Sequence, residues 1–131
     1  MANIVAVCIE APRVIKRYTV SNLVAIPKGT ILKLSGDNTA IASAAADVFA
    51  GIAVEEKTAS DGIVEISAAI DGVWDIETAA TTITLGGIVS LSGLNVIKQA
   101  TEAEMVTGAA FGKALETASV SEVIRVRLGF V

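Results

Sequence analysis

The chain has 131 residues, which corresponds to one domain; 53% of them are hydrophobic and only 4% are aromatic. This apolar fraction excludes an intrinsically disordered chain, because burial of so many apolar side chains offsets the entropy lost on ordering. The net charge is −4 and histidine is absent, which excludes every His-dependent catalytic triad and removes the commonest metal ligand. Sixteen valines and 15 isoleucines against 8 leucines favour a core of β-strands over a helical bundle.

Residues 1–22 form a β-prone segment that is not duplicated elsewhere in the chain. The apolar run Ile4–Ile9 ends before Pro12, and the segment Arg13–Val20 follows. We predict either an extended arm that adds a strand to a neighbour's sheet edge, or the first strand of the chain's own domain. The single cysteine, Cys8, lies within the apolar run and is predicted to be a buried small hydrophobe.

The rest of the chain contains an internal repeat. Four pairs of similar segments follow one another in the same order at offsets of 57 to 61 residues: 28–38 and 86–95, 49–55 and 111–116, 58–60 and 117–119, and 63–66 and 123–126. We interpret them as two similar halves, about 28–70 and 86–128, of a single β domain that spans residues 23–131.

Each half has the pattern of three strands separated by turns. A glycine-led turn precedes the first strand, and Asp61-Gly62 is a strong hairpin signal before the third strand of the first half. Ala42–Val48 and Ala103–Ala110 are expected to form at most short helices. The predicted fold class is mainly β, a compact barrel or sandwich of about six to eight short strands.

Three acidic residues are the only candidates for a chemical site. Asp71, Asp75 and Glu77 share one face of a predicted strand, with Trp74 on the opposite face as a core anchor or a subunit contact. Their spacing is not that of a calcium loop, so a solvated strand face is favoured over a cation site. Because the chain also lacks a phosphate-binding loop and a histidine base, we expect no cofactor and no enzymatic activity.

Charge is distributed unevenly along the chain. Residues 1–33 carry a net charge of +4, residues 34–122 carry −10, and residues 123–131 carry +2. This pattern favours docking through complementary surfaces, with ordinary solubility charge as the alternative. We expect no nucleic-acid partner, because the domain is acidic and its aromatic residues do not interleave with a basic patch. The uncharged segment 78–97 is half polar or glycine, so no membrane span is expected, and synthesis in the cytoplasm is expected because the N-terminus lacks a signal-peptide pattern.

A spaced pattern of glycines and small apolar residues runs through residues 24–131. Its motifs are Pro27-Lys28-Gly29-Thr30 with Leu34, Asp47–Ala53, Ser60-Asp61-Gly62, Gly72-Val73-Trp74-Asp75, Gly86-Gly87, and Gly112–Thr117 followed by Val126–Leu128. Together they resemble the capsid cement (head decoration) proteins of tailed bacteriophages. The resemblance implies a β-barrel-like or β-tulip-like domain that forms a homotrimer on the outer surface of the phage head.

On this resemblance the protein is a structural virion protein that binds the major capsid protein and stabilises the expanded head. Another virion component, such as a head fibre base or a tail protein, stays open as an alternative, and a small β-barrel ligand-binding module or enzyme is a less favoured one. Subunit contacts are expected from Trp74, Arg125 and Arg127. Contacts with the shell are expected from Ile4, Val5, Val7, Ile9, Arg13, Val14, Ile15, Arg17 and Tyr18.

Overall fold

A computed structural model describes residues 5–44, 47–79, 82–119 and 121–129, which contain eleven β-strands and one short α-helix. The elements are β1 (Val7–Glu10), β2 (Ile15–Thr19), β3 (Ile31–Gly36), β4 (Thr39–Ala42), β5 (Phe49–Ala53), β6 (Glu65–Ala69), β7 (Val73–Thr78), β8 (Ile88–Gly93), β9 (Val96–Gln99), α1 (Glu102–Thr107), β10 (Gly112–Ala114) and β11 (Val123–Leu128). The predicted mainly β fold class is confirmed.

Strands β2 to β6 form a closed five-stranded barrel, the first barrel, in the order β2-β4-β3-β5-β6. Its pairings are antiparallel except for the parallel contact of β2 with β4 at Thr19 and Thr39. A barrel of so few strands has a narrow interior, which small side chains fill. The buried residues there are Tyr18, Val20, Ile26, Leu32, Ala40, Ala50, Ala53, Ile66 and Ala68.

Strands β7 to β11 form a second ring of pairings, the second barrel. They belong to a six-stranded sheet in the order β1-β7-β11-β10-β8-β9, and β9 closes the ring by pairing in parallel with β7. Strand β1 lies outside the ring and pairs with β7. The interior contains larger side chains than the first barrel, including Trp74, Ile76, Leu91 and Ile97.

The two barrels have the same topology, with β7 to β11 in the places of β2 to β6. The pairing of Tyr18 with Ile66 recurs 58 residues later as the pairing of Ile76 with Ile124. Two turns recur with the same left-handed backbone, at Asn38 and Asn95 and at Ser60 and Ser121. The two similar halves are thus confirmed, and each begins one strand earlier than the sequence matches indicated, because β2 and β7 also correspond.

Alternation explains why these segments are strands. In β11 the side chains of Ile124, Val126 and Leu128 are buried, whereas those of Arg125 and Arg127 are exposed. The two arginines therefore share one face, as predicted. Because every second residue of a β-strand points to the same side, this alternation buries one complete face and leaves no charge in the core.

The two barrels pack against each other through a shared apolar cluster. Ile31, Ile52 and Ala69 of the first barrel are fully buried in the same cluster as the interior of the second barrel. The rings of Phe49 and Phe111, one from each half, stack with their centroids 4.1 Å apart. This contact buries the wall of one barrel against the core of the other, so the halves form one packed unit.

A buried polar contact fixes how the barrels meet. The side-chain oxygen of Asn95 accepts a hydrogen bond from the Ile31 N–H at 2.8 Å. The Asn95 N–H donates to the Ser43 hydroxyl, which donates to the Gly93 carbonyl, both at 3.1 Å. Because buried polar groups need partners, this network favours one relative position of the barrels.

One buried cation distinguishes the first half from the second. The Lys57 ammonium group donates to the carbonyls of Asn22, Val24 and Thr58 at 2.7 to 3.1 Å, and it lies 3.5 Å from the Asp61 carboxylate. In the second half the corresponding bridge is formed by Ala118, which pairs with Ile83 as Lys57 pairs with Ile26. The lysine thus holds the loop that follows β2 in the first half.

Several predictions require correction. The described residues contain eleven strands rather than six to eight, because β2, β7 and the short strands β4 and β9 were not recognised as parts of the repeat. Cys8 is exposed rather than buried, because β1 is attached at the edge of the second barrel. The short helix in Ala103–Ala110 is confirmed as α1, whereas the described residues of Ala42–Val48 are not helical. Strands β5 and β6 are antiparallel, as the Asp61-Gly62 signal indicated, but a longer connection joins them.

Glu104 anchors α1 to the second barrel. Its carboxylate accepts hydrogen bonds from the Lys98 ammonium at 2.7 and 2.8 Å, from the Ser90 hydroxyl at 3.1 Å and from the Thr101 N–H at 2.9 Å. Burial alone would raise the pKa of Glu104, but these donors lower it to about 2. Thr101 completes the capping box by accepting from the Glu104 N–H.

We expect Gly51→Ala and Gly112→Ala each to lower the free energy of unfolding by about 1–3 kcal/mol. A Cβ at Gly51 would lie 2.9 Å from the Ala69 carbonyl oxygen, and one at Gly112 would lie 2.7 Å from that of Arg127. These backbone atoms belong to paired strands and cannot move aside. Urea denaturation measures the effect. Gly36→Ala is the control, since its Cβ would come no closer than 3.7 Å to Thr39, and equal losses in all three variants would contradict the explanation.

Glu104→Gln should remove a pH-dependent part of the stability. The folded pKa of about 2 lies below the usual value of 4.5, so the carboxylate contributes stability above pH 4.5 that is lost as the pH falls towards 2. At neutral pH we expect a loss on the order of 3 kcal/mol, which shrinks on acidification. Denaturation of both proteins at several pH values measures this difference. Glu102→Gln, an exposed change on the same helix, is the control, and a pH-independent difference for Glu104→Gln would contradict the account.

Candidate functional site

The first two strands form a ribbon that runs across both barrels. We call residues 7–19 the N-terminal ribbon; its β1 pairs antiparallel with β7 of the second barrel, and its β2 pairs antiparallel with β6 of the first. Since β6 leads directly into β7, the ribbon follows this part of the chain in the opposite direction. The ribbon is therefore supported by both barrels along most of its length.

The ribbon crosses from one barrel to the other beside Asp71 and Gly72. One Asp71 carboxylate oxygen accepts the N–H groups of Arg13 and Val14 at 2.9 and 3.0 Å. Gly72 has a φ of +97°, and a Cβ there would lie 2.9 Å from the Glu10 carbonyl oxygen and 3.2 Å from the backbone of Pro12. The close crossing thus requires both the carboxylate and the glycine.

Apolar side chains of the ribbon are exposed. Val7 and Ile9 in β1 and Val14 and Ile15 beside the crossing keep between 37% and 53% of their surface accessible. Exposed apolar side chains along one element contribute to the surface that a protein partner could contact.

Basic side chains accompany them in β2. The Lys16 ammonium lies 5.1 Å from the centre of the Tyr18 ring and donates to the Asn38 side chain. The Arg17 guanidinium lies 3.4 Å from the Glu65 carboxylate and 3.9 Å from that of Glu55, yet more than half of its side chain stays exposed. The ribbon therefore combines exposed apolar and cationic groups.

A groove of about 590 Å³ opens beside the ribbon. Val7, Cys8, Pro12 and Ile15 line it from the ribbon, and Ala6, Lys28, Gly29, Ala53, Val54 and Trp74 complete its walls. Most of these side chains are apolar, with the Lys28 side chain as the one cation among the lining residues. Such a groove can accommodate an apolar side chain of a partner.

The predicted shell-contacting residues fall into four groups. Val7, Ile9, Arg13, Val14, Ile15 and Arg17 are exposed on the ribbon, and Val5 precedes it and is half-buried. Tyr18 points into the first barrel, where its hydroxyl donates to the Ala50 carbonyl at 2.7 Å and burial raises the pKa of the phenol. Tyr18 is therefore a core residue. Ile4 lies outside the described residues.

The predicted subunit-contact residues do not form one surface. Trp74 is buried in the second barrel, and its indole N–H donates to the Asp71 carbonyl at 3.0 Å. Arg125 is exposed and lies 3.6 Å from the Asp75 carboxylate, and Arg127 is exposed on the same face of β11. Trp74 thus contributes to the core, as one of its two predicted roles required.

The three acidic residues are not brought together as a chemical site. Asp71 accepts the two ribbon N–H groups and Asp75 pairs with Arg125, while Glu77 is buried at the other end of β7. Within the described residues no group of three or more Cys, Asp or Glu side chains is arranged to hold a metal ion. The carboxylates of Asp71 and Asp75 serve structural contacts instead.

Sequence reasoning missed the groove residues Lys28 and Val54. They lie in turns far from the ribbon in the chain, and only the fold brings them beside it. The glycine at position 29 is the one sequence feature that marks this contact, because a Cβ there would lie 2.5 Å from the Ala6 carbonyl oxygen. The Ala6 N–H also donates to the Gly29 carbonyl at 2.9 Å, so this turn directly contacts the start of the ribbon.

No protein-family model matches the chain, and a search of curated proteins finds no match. Among the described residues, no helix combines the length and apolar character needed to cross a bilayer.

Asp71→Ala should loosen the crossing of the ribbon. Two N–H groups would lose their acceptor, so we expect a loss of about 1 kcal/mol in the free energy of unfolding and faster amide exchange at Arg13 and Val14. Hydrogen exchange read by NMR measures the second effect. Asp71→Asn keeps a side-chain oxygen in the same place and should retain most of the protection. Unchanged exchange in Asp71→Ala would contradict the assigned role.

Proposed function

We propose that this protein is a capsid cement protein that binds the outside of a tailed-phage head and stabilises the expanded shell. The proposal starts from the resemblance of residues 24–131 to such proteins. The observation that supports it best is the N-terminal ribbon, in which exposed Val7, Ile9, Val14 and Ile15 accompany exposed Arg13 and Arg17. The two barrels support this surface and keep its side chains in fixed positions.

A cement protein stabilises a shell through a large total contact area, which many identical copies provide together. Each contact with the shell can be weak, because copies that are joined bind with a high effective concentration. A homotrimer fits this role, since a head-to-tail contact between three copies closes into a ring. Buried apolar surface contributes about 25 cal/mol per Å², so many modest contacts together oppose rupture of the shell.

Replacement of Val14 and Ile15 by Asp should weaken binding to expanded, undecorated shells by at least about tenfold. Both side chains are exposed, so the fold should persist, whereas the contact would bury two unpaired charges. Co-sedimentation with shells measures binding. A deletion of residues 2–20 is a poorer test, because it removes β2 and opens the first barrel.

Val106→Asp is the control for the effect of adding a carboxylate at an exposed apolar position. Val106 is 87% exposed on α1, far along the chain from the ribbon, and its replacement should leave shell binding unchanged. Wild-type binding by the ribbon variant would contradict the assigned surface. Failure of the wild-type protein to bind any expanded shell, together with its localisation to a tail or a head fibre in particle images, would favour the alternative virion roles.

A further inference from the structure

The duplicated topology reveals one strand edge that is covered in the second barrel and uncovered in the first. In the second barrel, β9 pairs with the end of β7, and β1 pairs with Val73–Asp75 on the same edge. In the first barrel, β4 pairs with the end of β2 at Thr19. No strand of the described residues covers Ile15–Arg17, which correspond to Val73–Asp75.

The backbone groups of Ile15 and Arg17 point to this uncovered edge. The Ile70 N–H donates to the Val14 carbonyl, and the Val20 N–H donates to the carbonyl of Val64, the residue before β6. Even-numbered residues of β2 therefore face β6, and the N–H and C=O groups of Ile15 and Arg17 face the opposite way. In the second barrel the same groups of β7 pair with β1.

We propose that this edge is a strand-addition site, at which an extended segment of a partner protein pairs antiparallel with Ile15–Arg17. The pairing of β1 with β7 shows the geometry that such a segment would adopt on an equivalent strand. The site is inferred from the fold, and the identification of the partner as a shell protein rests on the proposed function.

The charges around the edge select the partner's chemistry. Arg13, Lys16 and Arg17 lie on or beside it; Glu55 and Glu65 pair with Arg17, and the Asp71 carboxylate lies beside the backbone of Arg13. Two copies of this edge in contact would place cations opposite cations, which is destabilising and disfavours self-pairing. An acidic side chain in the added segment would instead find cationic neighbours.

The exposed side chain of Ile15 favours an occupant with apolar residues. Ile15 is 47% exposed and lines the groove beside the ribbon. A residue that pairs opposite Ile15 projects to the same face and can cover this side chain. The occupant is therefore an extended segment with alternate apolar residues and at least one carboxylate, and β1 itself, with Val7, Ile9 and Glu10, has this composition.

A peptide with the sequence of residues 5–11, carrying Cys8→Ser to prevent oxidation, is a suitable probe for the full-length protein. Titration with this peptide should produce saturable NMR shifts at the amides of Ile15 and Arg17. Shifts centred on β7, which would indicate exchange with β1, would overturn the proposal. An absence of shifts at β2 up to millimolar peptide would also overturn it.

Arg17→Pro tests the backbone pairing, because it removes an N–H that faces the open edge and is not needed by β6. We expect binding of the peptide to fall at least about tenfold, read at the Ile15 amide. Arg17→Ala is the matched control; it removes the same guanidinium but keeps the N–H, so binding should fall no more than about fivefold. Ile15→Pro, with Ile15→Ala as its control, replaces this pair if thermal unfolding shows that Arg17→Pro is not folded.

The proposal and the proposed function can fail separately. Peptide binding at β2 without any binding to shells would support the site and overturn the cement function. Undiminished shell binding by folded Arg17→Pro would leave the cement function intact and overturn the role of the edge. A concentration-dependent dimer of the free protein that protects Ile15 and Arg17 would show that a second copy fills the edge, and would overturn the proposed occupant.

Discussion

The crossing of the N-terminal ribbon beside Asp71 and Gly72 determines which strand of the ribbon each barrel receives. The chain passes from the last strand of the first barrel to the first strand of the second through only three residues, so the antiparallel ribbon must cross at the same place. The Asp71 carboxylate receives two ribbon N–H groups, and Gly72 permits an approach that a Cβ would prevent. This arrangement delivers β2 to the first barrel and β1 to the second, and no strand of the described residues covers the Ile15–Arg17 edge of β2.

The unusual composition follows from the two small barrels. A five-stranded ring has little interior volume, and alanines such as Ala40, Ala50 and Ala68 fill the first barrel together with a few larger side chains. Gly51 and Gly112 occupy equivalent positions at which neighbouring strands approach too closely for a Cβ. Valine and isoleucine then supply the β-branched walls. The alanines, glycines, valines and isoleucines, which carry no catalytic groups, are the residues that the packing of the two barrels requires.

Local and repeated patterns predicted much of the fold. The alternation in β11, the short helix α1 and the duplication could all be recognised, because each depends on neighbouring residues or on similarity between segments. The role of β2 could not, since Ile15–Thr19 and Val73–Thr78 share topology but little sequence. Cys8 appeared buried because its neighbours are apolar, yet attachment of β1 at a sheet edge leaves it exposed. The groove beside Ile15 is lined by residues from turns that are far apart in the chain, so local patterns could not predict it. Asp71 and Asp75 form contacts with the ribbon and with Arg125, and the spacing of acidic residues in the sequence does not indicate these partners.

These features connect the fold to binding: two packed barrels present a ribbon with exposed apolar and cationic groups, and the described strands leave one edge of this ribbon unpaired. Equivalent strands of the two barrels have different edges: β1 pairs with β7, whereas no strand of the described part of the chain pairs with Ile15–Arg17 of β2. Residue-resolved hydrogen exchange of the free protein tests it most directly. We expect slow exchange at Val73 and Asp75, whose N–H groups face β1, and rapid exchange at Ile15 and Arg17. Equal protection of the two pairs of amides would contradict it.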